Sequence, residues 1–428
     1  MSAQYSTNLR TQYYEPSSHV ANKMTTFRLD KNALYMPNLR ILNLGYSVDA
    51  ADLKANALAG HYGCIHNIRL MDGSKTLSQL RNANKWLSFK NQLGKNQHKL
   101  CVDSPNNGAQ VGYVLDSNSD VQYIPANGTT LSDAGASEIA TSVLDLRHVF
   151  PMLNNVDAVD CSVFQQLRVE IEYESNSAKA GVSKSDATMT VQEPTLAADM
   201  VVNDAIASKM RSSAQKVAQW DEIENDLLFI PAQGDKGSAG LNKQSFSGVI
   251  NGFDGKLVGR IAILKHSTAP ATECYTANVS QGFGSFQSRN YNNERLQIRK
   301  NGTNVFGGNG IDNDSYKSLL LWSSWGDVCV PPFATKPGIG SDDADAAPIN
   351  DSGVFPAENN KQSNRVGGAD YYGISIEDTV NQFQIEFDRD CYDNTGYPVQ
   401  NSAINMYVFG EVRKQLVIKD GSYSLVYA

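Results

Sequence analysis

No apolar run in the 428-residue chain approaches the roughly 18 residues that a membrane-spanning helix needs, so no such helix is expected. Met1 to Glu15 is polar and has no hydrophobic signal core, and no secretory route is expected from it. The six cysteines (Cys64, Cys101, Cys161, Cys274, Cys329, Cys391) form no C-x-x-C pair. Their scatter points to buried free thiols in a reducing compartment. An excess of basic charge is missing too. The formal net charge of −8 leaves no global pull toward nucleic acid or an anionic membrane.

Catalytic signatures are equally absent. The chain has no G-x-S-x-G, no H-E-x-x-H, no G-x-x-x-x-G-K-[ST] and no G-x-G-x-x-G. The glycine clusters at 282–286 and 307–310 do not lie between a strand and a helix and read as loops. His61, Cys64 and His66 are close in sequence, but on a strand only Cys64 and His66 share a face, and no fourth zinc ligand is indicated. Asp312, Asn313 and Asp314, like Asp342, Asp343 and Asp345, resemble part of a calcium loop without its glycine and terminal glutamate. The densest basic run, Arg81 to Lys99, reads as the solvated face of a helix and its exit. Trp322 and Trp325 are assigned to a core or a subunit contact in preference to sugar stacking. No catalytic, cofactor-binding or metal residue is assigned, and neither an enzyme nor a cofactor is expected.

What is present is strand grammar. With 41% apolar and 19% charged residues the chain can build sizeable cores. In Gln165 to Tyr173, Leu167, Val169, Ile171 and Tyr173 alternate with Arg168, Glu170 and Glu172. Side chains on a strand point alternately to opposite faces, so this segment has one greasy face and one charged face. Phe383, Ile385 and Phe387 repeat the pattern against Gln384, Glu386 and Asp388. Glu170 and Glu172 could imitate a catalytic carboxylate pair, but the repeat makes them architecture.

Elsewhere TTFRL, LYMPNLRILNL, GCIHNIRL, VLDLRHVFPML and INMYVFGEVRKQLVIK also read as strands, with turns at Asp72-Gly73, Asp254-Gly255 (a hairpin) and Asp420-Gly421. One helix is expected after Gly73. Thr76 and Gln79 have capping-box spacing, and Leu77, Leu80, Ala83 and Leu87 form a stripe with Trp86 and Leu93. Asn203 to Gln219 reads as a connector with a short helix. Polar loops occupy 103–138 and 337–370. Many short strands in two similar halves point to a duplicated all-β chain of packed β-sheets, for which the jelly roll is one solution. The divisions expected are an N-terminal arm at 1–24, a first roll at 25–203, a connector at 204–219 and a second roll at 220–428. The arm is expected to be ordered only by contact with something else.

The stretch from Leu34 to Asn91 resembles the front of double jelly-roll major capsid proteins, above all those of polinton-like viruses and virophages. The residues that carry this are Ala59, Gly60 and Tyr62, then Ile65, Asn67, Ile68, Leu70, Asp72 and Gly73, followed by a helix. Residues 144–155 with LRVEIEY resemble the closing strands of the first roll, and EPTLAADMVVN its exit. The resemblance implies an all-β fold of two consecutive eight-stranded jelly-roll β-sandwiches (a double jelly roll), with a short helix in the first and long loops, and a homotrimer with a roughly six-sided outline that tiles an icosahedral virion shell. The implied partners are neighbouring capsomers and penton and minor capsid proteins, with an internal membrane left open and no sequence-specific nucleic-acid binding. The place implied is the virion, assembled inside the host cell. The alternatives are a minor capsid or vertex protein and a glycan-binding two-sandwich lectin.

Overall fold

The computed structural model of the protein describes residues 8–48, 53–54, 59–93, 110–115, 121–125, 130–131, 142–176, 179–180, 189–213, 217–233, 242–267, 294–326, 371–391, 403–419 and 422–427. Eight strands build the first half: β1 (Leu9–Tyr14), β2 (Met24–Arg28), β3 (Arg40–Leu44), β4 (Ile65–Asp72), β5 (Lys75–Arg81), β6 (Ser142–Asp145), β7 (Leu167–Tyr173) and β8 (Thr195–Val201). Antiparallel pairing arranges them as β1-β8-β3-β6 and β2-β7-β4-β5, and short strands extend both sheets. The second half contributes β9 (Val217–Ile230), β10 (Asn242–Ile250), β11 (Lys256–Ser267), β12 (Arg295–Lys300), β13 (Thr303–Asn304), β14 (Tyr372–Val380), β15 (Phe383–Cys391) and β16 (Ile404–Lys419). Its sheets run β9-β16-β11-β14 and β10-β15-β12-β13, strand for strand the order of the first half. β17 (Ser422–Tyr427) pairs with the far end of β16.

In both halves the chain crosses from one sheet to the other at every step between these strands except the fourth to the fifth. Two sheets filled in that alternating order, packed on one core, are a jelly roll. The amphipathic strands occupy the same place in each. β7 lies between β2 and β4, with Val169 opposite Phe27 and Leu70, and β15 lies between β10 and β12. Leu167, Val169, Ile171 and Tyr173 are buried, as are Phe383, Ile385 and Phe387.

The described residues also form three α-helices: α1 (Ala83–Gln92), α2 (Asp204–Ser213) between the halves, and α3 (Asp314–Trp325). Several sequence expectations are corrected. Thr76 and Gln79 are not a capping box, because Lys75–Arg81 is a strand paired with β4. Thr76 opposes Met71 and Ser78 opposes Leu70, which leaves Leu77 as the extra residue of a β-bulge. The helix begins later, behind Asn82, whose φ of 50° is left-handed and whose side chain makes no cap. Asp254-Gly255 is not a hairpin, since β10 and β11 belong to opposite sheets.

The polar arm is corrected as well. Residues 9–14 pair with β8, and Ser18–Val20 pairs with β2, so both are ordered inside the first roll. Side chains help to hold β1 there: Thr11 donates to Asp199 at 2.6 Å, and Tyr14 packs edge-on against buried Tyr35. In the connector, Asn203 accepts from the backbone N–H groups of Ala205 and Ile206 at the start of α2. Cys101, Cys274, Cys329, the 282–286 glycines and the acidic group at 342–345 lie outside the described residues.

Candidate assembly surfaces

The two rolls are joined by a sheet whose central strands, β11 and β16, are buried on both faces along their middle. Along β11 and β16, Ile261, Ile263, Met406 and Val408 point into the second roll's own core. The residues between them, Ala262, Leu264, Tyr407 and Phe409, pack in the cluster that fills the first roll. A period of two with apolar side chains on both sides is what produces such a strand. Aromatic rings close the seam. Trp86 of α1 stands 5.4 Å from Trp325 of α3 and 5.1 Å from Phe409, while Phe89 lies 5.2 Å from Tyr371.

Hydrogen bonds also cross the seam. Fully buried Glu222 of β9 accepts from Ser78 Oγ at 2.7 and 2.9 Å, from the Gln79 N–H at 2.7 Å and from Trp220 Nε1 at 2.6 Å. Burial pushes its carboxyl above the ordinary range, against Lys414 and these donors, which favour the charged form. Asn82 donates to Asn225 at 2.9 Å, and the Tyr423 hydroxyl donates to Asp72 at 2.9 Å, both across the seam. An account built on spacing misses Glu222, whose partners Ser78 and Gln79 lie more than a hundred positions away.

The second roll also holds an ionic cluster in its interior. Glu294 accepts from Lys265 at 2.5 Å, from Lys317 of α3 at 2.7 Å and from the Tyr372 hydroxyl at 2.9 Å. All four residues are buried. Burial alone would raise the Glu294 carboxyl, but the two ammonium groups outweigh it and pull it down to about 2. Its one visible sequence signal is a lysine inside the apolar run IAILKHS.

The residues singled out from sequence fall elsewhere. His61 is buried, which pulls its imidazole down to about 4, and Cys64 donates its thiol to the His61 carbonyl at 3.2 Å. His66 turns to Glu174 at 3.2 Å, so the three are not gathered on one centre. Asn313 is the N-cap of α3, accepting from the Tyr316 N–H at 3.0 Å. Glu170 sits between Arg168 at 2.9 Å and Arg69 at 3.2 Å, and Glu172 accepts from Asn67, so neither is a free acid–base group. Trp325 donates its indole N–H to the Ile261 carbonyl at 2.8 Å, whereas Trp322 faces outward.

Beside α3 opens a groove of about 550 Å³ lined by Asp221, Arg260, Ser323, Glu377, Glu411 and Arg413 among others. Arg260 grips Glu411 with two nitrogens at 2.7 and 2.8 Å and lies 4.1 Å over the Trp325 ring, while Arg413 pairs with Asp221. Two of its acids, Glu411 and Asp221, are held by guanidinium groups and offer charge for recognition.

No protein-family model matches the sequence, and no curated protein matches it significantly. Solved structures match its fold over nearly the whole chain. A PBCV-1 VP54 crystal structure, fitted into a cryo-EM reconstruction of the virophage Sputnik, superposes with a TM-score of 0.56 at 10% identity, covering 98% of this chain and 97% of that one. The mavirus major capsid protein gives 0.52 at 12% identity, with 98% and 90% covered. The Sputnik virophage structure gives 0.52 at 10%, with 98% and 88% covered. The chain therefore has the all-β double jelly-roll fold of these capsid proteins, as the resemblance read from its sequence implies.

Proposed function

We propose that this chain is the wall unit of a virus particle: a non-enzymatic major capsid protein whose homotrimers, roughly six-sided, tile an icosahedral shell. One observation carries the reading. Both rolls, in order, match the capsid folds over 98% of this chain and 97% and 90% of two of its neighbours. The seam supports it physically. A shared aromatic core and buried hydrogen bonds make the two rolls one stiff tile, and a stiff tile suits a lattice whose contacts recur at fixed angles.

The partners in this reading are neighbouring copies, then penton and minor capsid proteins, and the place is the virion. A net charge of −8 suits a container wall better than a genome-condensing protein. Light scattering and electron microscopy of the purified protein test the proposal. A six-sided trimer that assembles into shells is expected. A stable monomer that binds sugars on a glycan array would replace it with a lectin.

A further inference from the structure

The faces of β2-β7-β4-β5 and β10-β15-β12-β13 that turn away from the two cores carry different charge patterns. In roll two each base has its acid. Lys243 stands opposite Asp390, Arg295 pairs with Asp388, and Arg299 pairs with Glu386 at 2.9 Å. In roll one, four arginines meet two glutamates. Arg28 lies on β2, Arg168 on β7, Arg69 on β4 and Arg81 on β5, one to each strand.

The register fixes their arrangement. Arg28 is directly opposite Arg168, Glu170 is opposite Arg69, and Asn67 is opposite Arg81. Paired residues share a face and successive rows lie two residues apart, so the four arginines step diagonally across the sheet over about 20 Å. The two inner ones close on a single carboxylate, that of Glu170, Arg168 at 2.9 Å and Arg69 at 3.2 Å. The other carboxylate, Glu172, accepts from Asn67 at 2.8 Å. The end arginines, Arg28 and Arg81, are exposed, and their side chains have no hydrogen bond or ion pair among the described residues.

This layout costs stability. Like charges directly opposite on neighbouring strands repel, and the matched face of roll two shows that the fold does not require them. Surplus guanidinium groups on one face of a chain of net charge −8 are complementary to carboxylates, whose two oxygens fit each fork. An extended peptide of about six residues covers the length of the diagonal, and its alternate side chains reach the sheet about 7 Å apart. A nucleic-acid strand fits less well. Single strands are held by aromatic stacking as well as by charge, and the uncharged residues between the arginines are Thr26, Asn67, Met71 and Gln79, none with a ring.

We propose that the arginine diagonal of roll one is a docking face for an extended segment of a partner protein that carries acidic side chains at alternate positions. Its carboxylates bind the free forks of Arg28 and Arg81 at the two ends and offset the repulsion between Arg28 and Arg168. Arg168 and Arg69 stay on Glu170 and keep the middle of the face positive.

Fluorescence anisotropy with the full chain tests this. The probes are a labelled heptapeptide with glutamate at every second position, its glutamine analogue and an oligothymidine strand. The glutamate peptide is expected to bind at low salt and to be released as salt is raised. Arg28→Ser with Arg81→Ser should weaken it about tenfold or more, with the far-UV circular dichroism unchanged. If that double variant fails to fold, Arg81→Ser alone carries the test with a smaller loss. Arg28→Glu should abolish binding while leaving the denaturation midpoint equal or higher, because it sets a carboxylate opposite Arg168. A lower midpoint there would show Arg28 to be a structural residue and overturn its role. Absent binding, equal binding of the glutamine peptide, preference for oligothymidine or wild-type affinity in the double variant each overturns the proposal. None of these readings depends on the assembly the chain forms, so their failure leaves the shell reading in place.

Discussion

The two rolls share one strand order but not one set of lengths. β1 and β8 have 6 and 7 residues, and their counterparts β9 and β16 have 14 and 16. The extra length serves the seam. β16 places Met406 and Val408 in its own core and Tyr407 and Phe409 under roll one, then runs on to pair with β17. One topology serves both halves, and the longer strands of the second join them. The helices after the fifth strand diverge in the same sense: α1 is spent on the internal seam, and α3 keeps an apolar stripe outside.

The largest expected effect comes from breaking the shared element. Val169→Asp with Ile171→Asp puts unpartnered carboxylates into the first core, and Ile385→Asp does so in the second. Each site should cost about 5 kcal/mol or more, beyond what a marginally stable fold can lose. Because one apolar cluster spans both rolls, damage in either should unfold the whole chain. Calorimetry of the wild type should accordingly show a single transition. Two separate transitions would mean that the seam does not couple the rolls.

Next in size is the ionic cluster, which sets the second core apart from the first. Glu294→Gln takes away the carboxylate that Lys265 and Lys317 share, and should cost about 3–5 kcal/mol by chemical denaturation. The carboxyl is held at about 2 in the fold against an ordinary 4.5. Its contribution is therefore complete above the ordinary value and is lost as pH falls from there toward 2. The gap between wild type and variant should narrow over that window. A gap unchanged by acid would show that the carboxylate is not what holds the two lysines.

Glu222→Ala acts on the seam alone. It leaves the Ser78 hydroxyl, the Gln79 N–H and the Trp220 indole N–H buried without their acceptor, at about 3 kcal/mol in total. Retention of wild-type stability would mean that the aromatic cluster alone holds the rolls together.

How much of this the sequence revealed follows from the range of each signal. β7 and β15 were legible because alternation is local, and their matching places in the two sheets bear out the pairing of halves. The start of α1 is hidden in the sequence because the bulge at Leu77 lets Leu77 and Leu80 both face inward three positions apart, which imitates a helical period. α3 does not show as a helix in the sequence because LLLW is apolar on both sides: Leu321 packs inward, and Leu319 and Trp322 outward. Residues 9–20 looked like an arm because their partners, β8 and β2, either lie far along the chain or are too short to announce themselves. The seam and the Glu294 cluster join residues tens to hundreds of positions apart, beyond any spacing rule.

The smallest effect concerns how the two helices begin. α3 starts behind Asn313, in extended backbone, with its side chain accepting from the Tyr316 N–H. Asn313→Ala should lose about 1 kcal/mol, and Asn313→Ser should recover most of it, because a hydroxyl can take the same N–H. α1 starts behind Asn82, held at a φ of 50° without a cap, and its side chain reaches instead to Asn225 across the seam. Asn82→Gly removes the conformational strain and the seam hydrogen bond together. These terms oppose each other at about 1 kcal/mol apiece, so the denaturation midpoint should hardly move. A loss at Asn82→Gly well above that at Asn313→Ala would show that the hydrogen bond to Asn225 outweighs the strain, and that α1 is positioned by the sister roll more than by its own first turn.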